Sequence, residues 1–351
     1  MRPWGDLPGD DPQRDRDATE AELKAAGIDL HPTPPGRHGH GEGHGLPGHS
    51  HPHQQSGPGQ PPVIGIVGAG AVGTALGVAL SRAGWPIHAV ASRDAARRER
   101  FRSLVEVNRV FVDPEPLVEE VELIILAVPD DVVAPLAGSL RMYSGQAMIH
   151  TSGAVGAAVL APAMAAGTQI GSFHPLVAFA DTERAVAALH GATVAIEADD
   201  QLAVMLAAMA EAIGATPVRL APGAKAAYHA AAVLAAGGFV ALLDAIAELG
   251  RVAGLDEAGA LAIYGRLIEG TLGNARALGI AAALTGPIAR GDLGTLRAHL
   301  DAMRAHAPRA LDLYVAAARR EIELAEGRGV LAPEVARTLR DTLDAAVAPA
   351  D

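Results

Sequence analysis

The chain has 351 residues, of which half are apolar and only 3% aromatic, and its formal net charge is −12. This length allows two domains and a sizeable core, which must consist mainly of Ala, Leu, Val and Ile. The acidic balance and the lack of a long Lys/Arg-rich run argue against a nucleic-acid partner. The absence of cysteine excludes disulfides and a thiol nucleophile, and we expect a cytoplasmic location.

Residues 1–61 are rich in Gly, Pro and His and contain little that could form a core. Such a segment cannot offset the entropy lost on ordering, so the sequence predicts a disordered tail. Seven of the 14 histidines lie between His31 and His53, and imidazole binds zinc, nickel and copper. The tract is therefore either a metal-handling segment or a tail whose composition has no function. No spacing typical of a structural zinc site accompanies it, and we assign no metal ligands.

The longest uninterrupted apolar run covers residues 230–243, which is 14 residues between His229 and Asp244. A membrane-spanning helix needs about 20 such residues. The start of the chain also lacks the basic and then apolar pattern of a signal peptide. We therefore expect a buried helix at residues 230–243 and no membrane partner.

Residues 62–220 alternate between short apolar, β-rich runs and helical segments, which predicts an α/β domain with a doubly wound, mostly parallel sheet. The predicted strands are residues 63–67, 87–91, 121–128, 147–151, 169–173 and 192–197. Residues 221–351 contain long Ala- and Leu-rich segments separated by Gly and Pro, which predicts a separate all-helical C-terminal domain. Its predicted helices are residues 224–253, 256–277, 292–305, 308–326 and 333–347.

Gly68, Gly70 and Gly73 form a GxGxxG pattern directly after the first predicted strand and before a helix predicted at residues 74–83. In that context the pattern is typical of a Rossmann dinucleotide site. Gly68 permits the tight turn, Gly70 lets the backbone approach a pyrophosphate, and Gly73 allows close helix–strand packing. Ala71 and Val72 follow in the same loop, where free N–H groups at a helix N-terminus favour an anion.

The residues after the second predicted strand distinguish between nucleotides. An NAD site usually has Asp or Glu at this strand end to bind the ribose 2′-hydroxyl. Here Ser92 is able to donate to a 2′-phosphate and Arg93 to pair with it or stack on the adenine, which favours NADP(H). Asp94 becomes a ribose ligand only if the register slips. Val128-Pro129 ends the fourth strand and would border the nicotinamide crevice.

The glycine loop and the AVPDD strand end at residues 127–131 resemble the superfamily of pyrroline-5-carboxylate reductase, ketopantoate reductase and prephenate dehydrogenase. Four further segments, in order, resemble the uncharacterised Rossmann-like/DUF2520 family. They are HTSG (150–153), GSFHPLVAF (171–179), KAAYHAAAV (225–233) and LTGPIARGD (284–292). The resemblance covers residues 63 to about 345. It implies an NADP-type Rossmann domain and a homodimer formed through the helical domain, and it supplies no substrate.

One position departs from the family pattern, which has an Asn eight residues after the histidine of KAAYH. This chain has Gly237 there. If that Asn binds substrate in relatives, the substrate or the catalytic competence of this member differs.

Lys225 is, with Lys24, one of only two lysines, and His229 follows four residues later on the same helix face. Reduction of a carbonyl requires a proton at the developing alkoxide, and Lys225, His229 or both could donate it. His174, before a proline, resembles the substrate-contacting histidine of prephenate dehydrogenases. The alternatives are a surface lysine and two structural histidines.

Three further residues are candidate substrate contacts. Ser152 could bind a carboxylate through its hydroxyl and neighbouring N–H groups. Arg290 could clamp a carboxylate bidentately, or it could hold its own turn together with Asp292, a natural N-cap. Asn274 precedes that segment by ten residues.

The sequence thus predicts hydride transfer between NADPH and a small anionic carbonyl or imine. Ketopantoate-like 2-keto acids are the first substrate class by analogy. The alternative is a non-catalytic NADP-binding sensor or scaffold, which Gly237 favours.

Overall fold

A computed structural model describes residues 60–221 and 223–348. The histidine tract and nearly all of the predicted tail lie outside the described residues. Eight strands form one sheet. They are β1 (Ile64–Val67), β2 (Ile87–Ala91), β3 (Arg109–Phe111), β4 (Leu123–Leu126), β5 (Ala147–His150), β6 (Gln169–Pro175), β7 (Thr193–Ala198) and β8 (Thr216–Arg219). The predicted sheet is confirmed, although β3 and β8 were not among the predicted strands.

The strand order is β3-β2-β1-β4-β5-β6-β7-β8, and every neighbouring pair is parallel except β6 and β7. The order reverses between β1 and β4, where a doubly wound sheet opens a ligand crevice at its carboxyl edge. One row of paired residues crosses the sheet near this edge. It comprises Ala91, Val67, Leu126, His150, Ser172 and Glu197. This row runs from the strands beside the glycine loop to the middle of β6 and on to β7.

Helices cover both faces of the sheet. They are α1 (Ala71–Arg82), α2 (Ala95–Leu104), α3 (Glu115–Val118), α4 (Asp130–Ser139), a 3-10 helix at Ala157–Ala166, α5 (Thr182–Leu189) and α6 (Asp200–Ala212). Successive residues of β4 alternate between two buried clusters: Ile125 packs on one face with Ile64, and Ile124 on the other with Val67. Burial on both faces explains why the central strands are uninterrupted apolar runs.

The remaining described chain is helical. Its helices are α7 (Lys225–Val252), α8 (Glu257–Leu278), α9 (Ile280–Ala283), α10 (Pro287–Arg290), α11 (Leu293–His306), α12 (Pro308–Gly327) and α13 (Pro333–Val347). Helices α11, α12 and α13 bury a common core that includes Leu300, Ile322 and Leu339. The Asp292 side chain caps α11 by accepting from Thr295 N at 3.0 Å, as predicted.

The expectation that residues 230–243 are buried is wrong for a single chain. Helix α7 continues through a π-helical stretch, Leu234–Gly238, and most of its surface is exposed. Helix α8 buries only Ala260. By length and composition, α7 is the one helix of the described residues that could cross a membrane. Among the described residues 20 large apolar side chains are exposed, and 11 of them lie between Val233 and Ile280.

Candidate active site

The glycine segment between β1 and α1 leaves no room for a side chain at Gly68 or Gly73, whereas a Cβ on Gly70 would meet no atom closer than 4.0 Å. Gly68 has φ +108°, and a Cβ there would lie 2.2 Å from the Ala127 carbonyl oxygen. A Cβ on Gly73 would lie 2.0 Å from the Gly68 carbonyl oxygen. Both positions therefore require glycine, because the backbone of the loop passes directly over β4 and the start of α1. The geometry fits the roles predicted for these two residues.

A cavity of about 600 Å³ opens beside this loop at the carboxyl ends of β1, β2 and β4. Six of the predicted cofactor-binding residues line it, namely Gly68, Gly70, Ser92, Arg93, Val128 and Pro129. Ala71, Val72 and Gly73 form the first turn of α1, and Ala71 lines a neighbouring pocket with Arg97. The cavity has the position and the lining that a dinucleotide would need.

The loop after β2 is held in a defined conformation. Asp94 caps α2 by accepting from Arg97 N at 3.1 Å, and its carboxylate also pairs with Arg97 Nε at 3.4 Å. Arg98 donates to the carbonyl oxygen of Ser92. Ser92, Arg93 and Asp94 all line the cavity, but the Asp94 carboxylate is bound within its own helix turn. The preference for NADP(H) over NAD(H) that Ser92 and Arg93 suggest stays a prediction.

Lys225, the first residue of α7, is buried against the sheet with only 4% of its surface exposed. Its Nζ donates to Ser172 Oγ at 2.7 Å and lies 3.5 Å from Glu197 Oε2. The Ser172 hydroxyl in turn donates to Glu197 Oε2 at 3.2 Å. Burial lowers the pKa of Lys225 below its usual value, and the Glu197 carboxylate opposes this shift. The three side chains form one buried polar cluster.

His150 organises the turn that follows β5. Its Nδ1 accepts from Ser152 N and its Nε2 faces the Gly156 carbonyl oxygen, both at 3.2 Å. This arrangement uses a neutral ring, and burial lowers the pKa of His150 to about 4. The Ser152 hydroxyl accepts from Ala154 N and Val155 N, so it stabilises the same turn. Its role as a substrate contact stays a prediction.

His174 and His229 approach Gly153 at the end of this turn, and Tyr228 packs against His174. The His174 ring packs edge-on against Tyr228 at 6.0 Å and against His229 at 5.7 Å between centroids. His174 Nδ1, Tyr228 Oη and His229 Nδ1 are buried, and none has a hydrogen-bond partner among the described residues. Three such atoms on side chains that pack together are unusual for a structural core, because an unpaired buried polar group is costly.

His174 lies on β6 rather than after it, since the strand continues to Pro175. Beyond Ser172 this strand pairs only with β7, so the proline interrupts no ladder with β5. Burial lowers the pKa of His174 to about 4, and the charge of Lys225 acts in the same direction. His174 is therefore neutral at pH 7.

The other candidate residues lie apart from this cluster in the single chain. Asn274 is exposed on α8, and Arg290 is exposed at the end of α10. Gly237 belongs to the π-helical stretch of α7, and a Cβ there would meet no atom within 4 Å. In the part of the chain that the structure describes, no group of three or more His, Asp or Glu side chains is arranged to hold a metal.

Sequence reasoning missed Glu197, Ser172 and Tyr228. Ser172 and Tyr228 belong to the GSFHP and KAAYH segments, so their motifs carried a signal that was not assigned to them. Glu197 ended a predicted strand, and only the antiparallel pairing of β6 and β7 brings it opposite Ser172.

Two family models match the chain, a Rossmann-like domain over residues 50–175 and a domain of unknown function, DUF2520, over residues 192–321. No curated protein matches. Among solved structures, a Bacteroides fragilis protein provisionally described as an NADP oxidoreductase is 24% identical with a TM-score of 0.63, and the alignment covers 74% of this chain and 98% of that one.

Two enzymes of named activity share the fold. The imine reductase from a Pseudomonas species is 17% identical with a TM-score of 0.59, and the alignment covers 81% of this chain and 100% of that one. The 1-pyrroline-5-carboxylate reductase from Streptococcus pyogenes is 15% identical with a TM-score of 0.52, covering 81% and 98% respectively. The chain thus shares the fold of these two reductases, as the resemblance implied.

Proposed function

We propose that this chain, which matches the models of a Rossmann-like domain and of DUF2520, is an NADP(H)-dependent oxidoreductase. The observation that carries the proposal is the position of the buried Lys225 amine. It contacts Ser172 on the row of residues that also contains Val67, directly before the glycine loop. Ser172 and Val67 are separated by three strand spacings, roughly 14 Å. This distance suits a nucleotide that binds at the glycine loop and whose reactive ring extends along the sheet edge.

NADPH, when bound, supplies a hydride, and the chain must supply the accompanying proton. The Lys225 ammonium has three N–H donors, and Ser172 and Glu197 occupy two of them. The third is left for the oxygen or nitrogen atom of the substrate on which negative charge develops. A buried ammonium stabilises such charge strongly, because little water screens it.

The three unpartnered atoms of His174, Tyr228 and His229 support a polar substrate at this site. Because His174 is neutral at pH 7, it would bind the substrate as a neutral hydrogen-bonding group and not as a proton donor. His229 and Tyr228 would complete the contacts. We assign the proton donation to Lys225 and substrate binding to the two histidines and Tyr228.

The substrate class we favour is a small anionic carbonyl or imine, such as a 2-keto acid or a cyclic imine acid. The buried Lys225 ammonium suits a substrate that brings its own negative charge. The solved imine reductase and pyrroline-5-carboxylate reductase share this fold, so imines belong in the same screen as 2-keto acids.

The test is a titration with NADPH and NADH, followed by a turnover screen with 2-keto acids and cyclic imine acids. Lys225→Met should abolish turnover and leave NADPH binding intact, whereas Lys24→Met, which replaces the other lysine, should change neither. Failure to bind NADPH would refute the proposal. NADPH binding without turnover of any substrate in the screen would favour the sensor or scaffold.

A second copy of the chain is the partner we propose for the exposed hairpin of α7 and α8. Apolar patches larger than a few hundred Å² usually mark an interface. A twofold dimer would bring the same apolar surface from each copy together. A bilayer suits the hairpin less well, because α8 carries Glu257, Arg266, Glu269 and Arg276, and Lys225, the first residue of α7, is buried against the sheet.

A further inference from the structure

Glu197 lies opposite Ser172 on the antiparallel strand β7 and contacts three groups with one carboxylate oxygen. Its Oε2 accepts from Ser172 Oγ at 3.2 Å and from Ala157 N at 3.3 Å, and it lies 3.5 Å from Lys225 Nζ. The three groups come from β6, from the 3-10 helix and from α7. The carboxylate is thus fixed from three sides, and its side chain is 17% exposed.

Lys225 needs such a partner, because its position opposes a positive charge in two ways. The side chain is removed from water, and desolvation disfavours the ammonium form. It also begins a helix of 28 residues, whose N-terminus carries the positive end of the helix dipole. A lysine in this position without a carboxylate would lose its proton easily.

The other titratable groups near Lys225 do not replace Glu197. His150 and His174 are neutral at pH 7, since burial lowers the pKa of each to about 4. Asp130, at the start of α4, acts on Lys225 through its charge alone and is exposed, so solvent screens its effect. Glu197 is the carboxylate in direct contact.

We infer that Glu197 is the positioning residue of the site, which holds the Lys225 amine against Ser172 and keeps it protonated between turnovers. Ser172 links the two, because it accepts from Lys225 and donates to Glu197. The consequence for catalysis rests on the function proposed above, whereas the effect of Glu197 on Lys225 does not.

The composition of the chain allows a direct measurement on the whole protein. With only Lys24 and Lys225 present, ¹³C-lysine labelling gives two side-chain signals, and a Lys24→Arg variant assigns them. The pH dependence of each ¹³Cε shift then reports the pKa of that lysine. This readout does not depend on finding a substrate.

Glu197→Gln removes the charge at nearly constant shape, and we expect the Lys225 signal to titrate roughly one pH unit or more lower than in the wild type. Glu197→Asp keeps a carboxylate, so its Lys225 signal should titrate between those of the wild type and Glu197→Gln. It also replaces the Gln variant in the test if that variant does not fold. Asp130→Asn should lower the pH at which the Lys225 signal titrates much less than Glu197→Gln does. An unchanged Lys225 titration in Glu197→Gln, or an equal effect of Asp130→Asn, would overturn the inference.

Once a substrate is found, the rate against pH supplies the second readout. The alkaline limb of the profile should move to lower pH in Glu197→Gln by the same amount as the NMR titration. A lowered NMR titration in a protein that reduces no substrate would retain the inference and reject the proposed function. If Glu197→Gln lowers the pH at which the Lys225 signal titrates but leaves the alkaline limb of the rate profile unchanged, the role of Glu197 in catalysis is rejected.

Discussion

Gly153 and His229 approach so closely that no side chain fits between them, since a Cβ on Gly153 would lie 2.3 Å from His229 Nδ1. The same Cβ would lie 2.6 Å from His174 Nε2. Glycine at this position therefore allows helix α7 to bring His229 to the end of β5. The contact joins the helical part of the chain to the sheet at the candidate active site.

Gly153→Ala should displace His229 and His174 while the nucleotide cavity, which Gly153 does not line, stays intact. We expect a loss of about 1–3 kcal/mol in the free energy of unfolding, as for other overpacked sites. Turnover should fall roughly 100-fold, because a displacement of about 1 Å is enough for such a loss. Denaturation, NADPH titration and steady-state rates measure the three effects.

Gly156→Ala is the matched control from the same turn. Its φ of −79° suits alanine, and the nearest atom to the new Cβ would be Glu197 Oε2 at 3.7 Å, an ordinary contact. It should retain both stability and turnover. If Gly153→Ala behaved as Gly156→Ala does, the close approach would have no functional importance.

The fold was largely predictable because its central strands are buried on both faces and its helices are long. Strand β2 and helix α13 have the predicted bounds, and the other elements for which bounds were predicted differ by one to three residues at one or both ends. The edge strands β3 and β8 were not predicted, because strands at an exposed edge lack an apolar pattern. The sequence of β8, for example, is Thr216-Pro217-Val218-Arg219. The exposure of α7 was not predicted either, since the sequence of an apolar helix does not indicate whether the same chain or another molecule covers it.

The active site was only partly predictable for a different reason. The glycine loop, Ser92 and Arg93 are adjacent in sequence, so one motif describes them. Lys225 and Ser172 are 53 residues apart, and Glu197 reaches them only through the pairing of β6 with β7. Such a contact depends on register, which no local pattern encodes.

Nucleotide preference should follow the residue at position 92. A carboxylate there would repel a 2′-phosphate and would accept from the 2′-hydroxyl of NADH, so Ser92→Asp should lower the affinity for NADPH and raise that for NADH. Parallel fluorescence titrations with the two nucleotides measure the change, for which we expect at least 10-fold in the ratio of Kd values, about 1.4 kcal/mol.

Asp94→Asn is the control for this experiment. Asn caps a helix as well as Asp does, so α2 should keep its start. Because the Asp94 carboxylate is already bound to Arg97, the variant should not lower the affinity for NADH. A selective loss of NADH binding in Asp94→Asn would show that Asp94 is the ribose ligand and that the assignment of Ser92 is wrong.

Stability should decrease on mild acidification through His150, which is fully buried. Its folded-state pKa of about 4 lies below the value of 6.5 for an unperturbed histidine, so the unfolded chain binds more protons between these values. The free energy of unfolding should therefore be constant above pH 6.5 and fall as the pH drops from 6.5 towards 4. The full shift corresponds to a loss on the order of 3 kcal/mol.

Urea denaturation at several pH values between 7.5 and 4.5 measures this dependence. His150→Gln removes the titrating group, so its stability should depend less on pH even if it is lower throughout. His306→Gln, which changes an exposed histidine, should retain the wild-type dependence. An equal pH dependence in the wild type and in His150→Gln would assign the effect to other groups, His174 first among them.

The oligomeric state should depend on the exposed hairpin of α7 and α8. Leu234 is 72% exposed and Leu267 is 67% exposed, so a charge at either position costs the single chain little. In a dimer that buries them, Leu234→Lys and Leu267→Lys would each bring a charge into an apolar contact, and the double variant should sediment as a monomer. Val204→Lys, on α6 and 48% exposed, is the control and should sediment as the wild type. A wild-type chain that sediments as a monomer, or that partitions with added lipid vesicles, would reject the second copy as the partner of this surface.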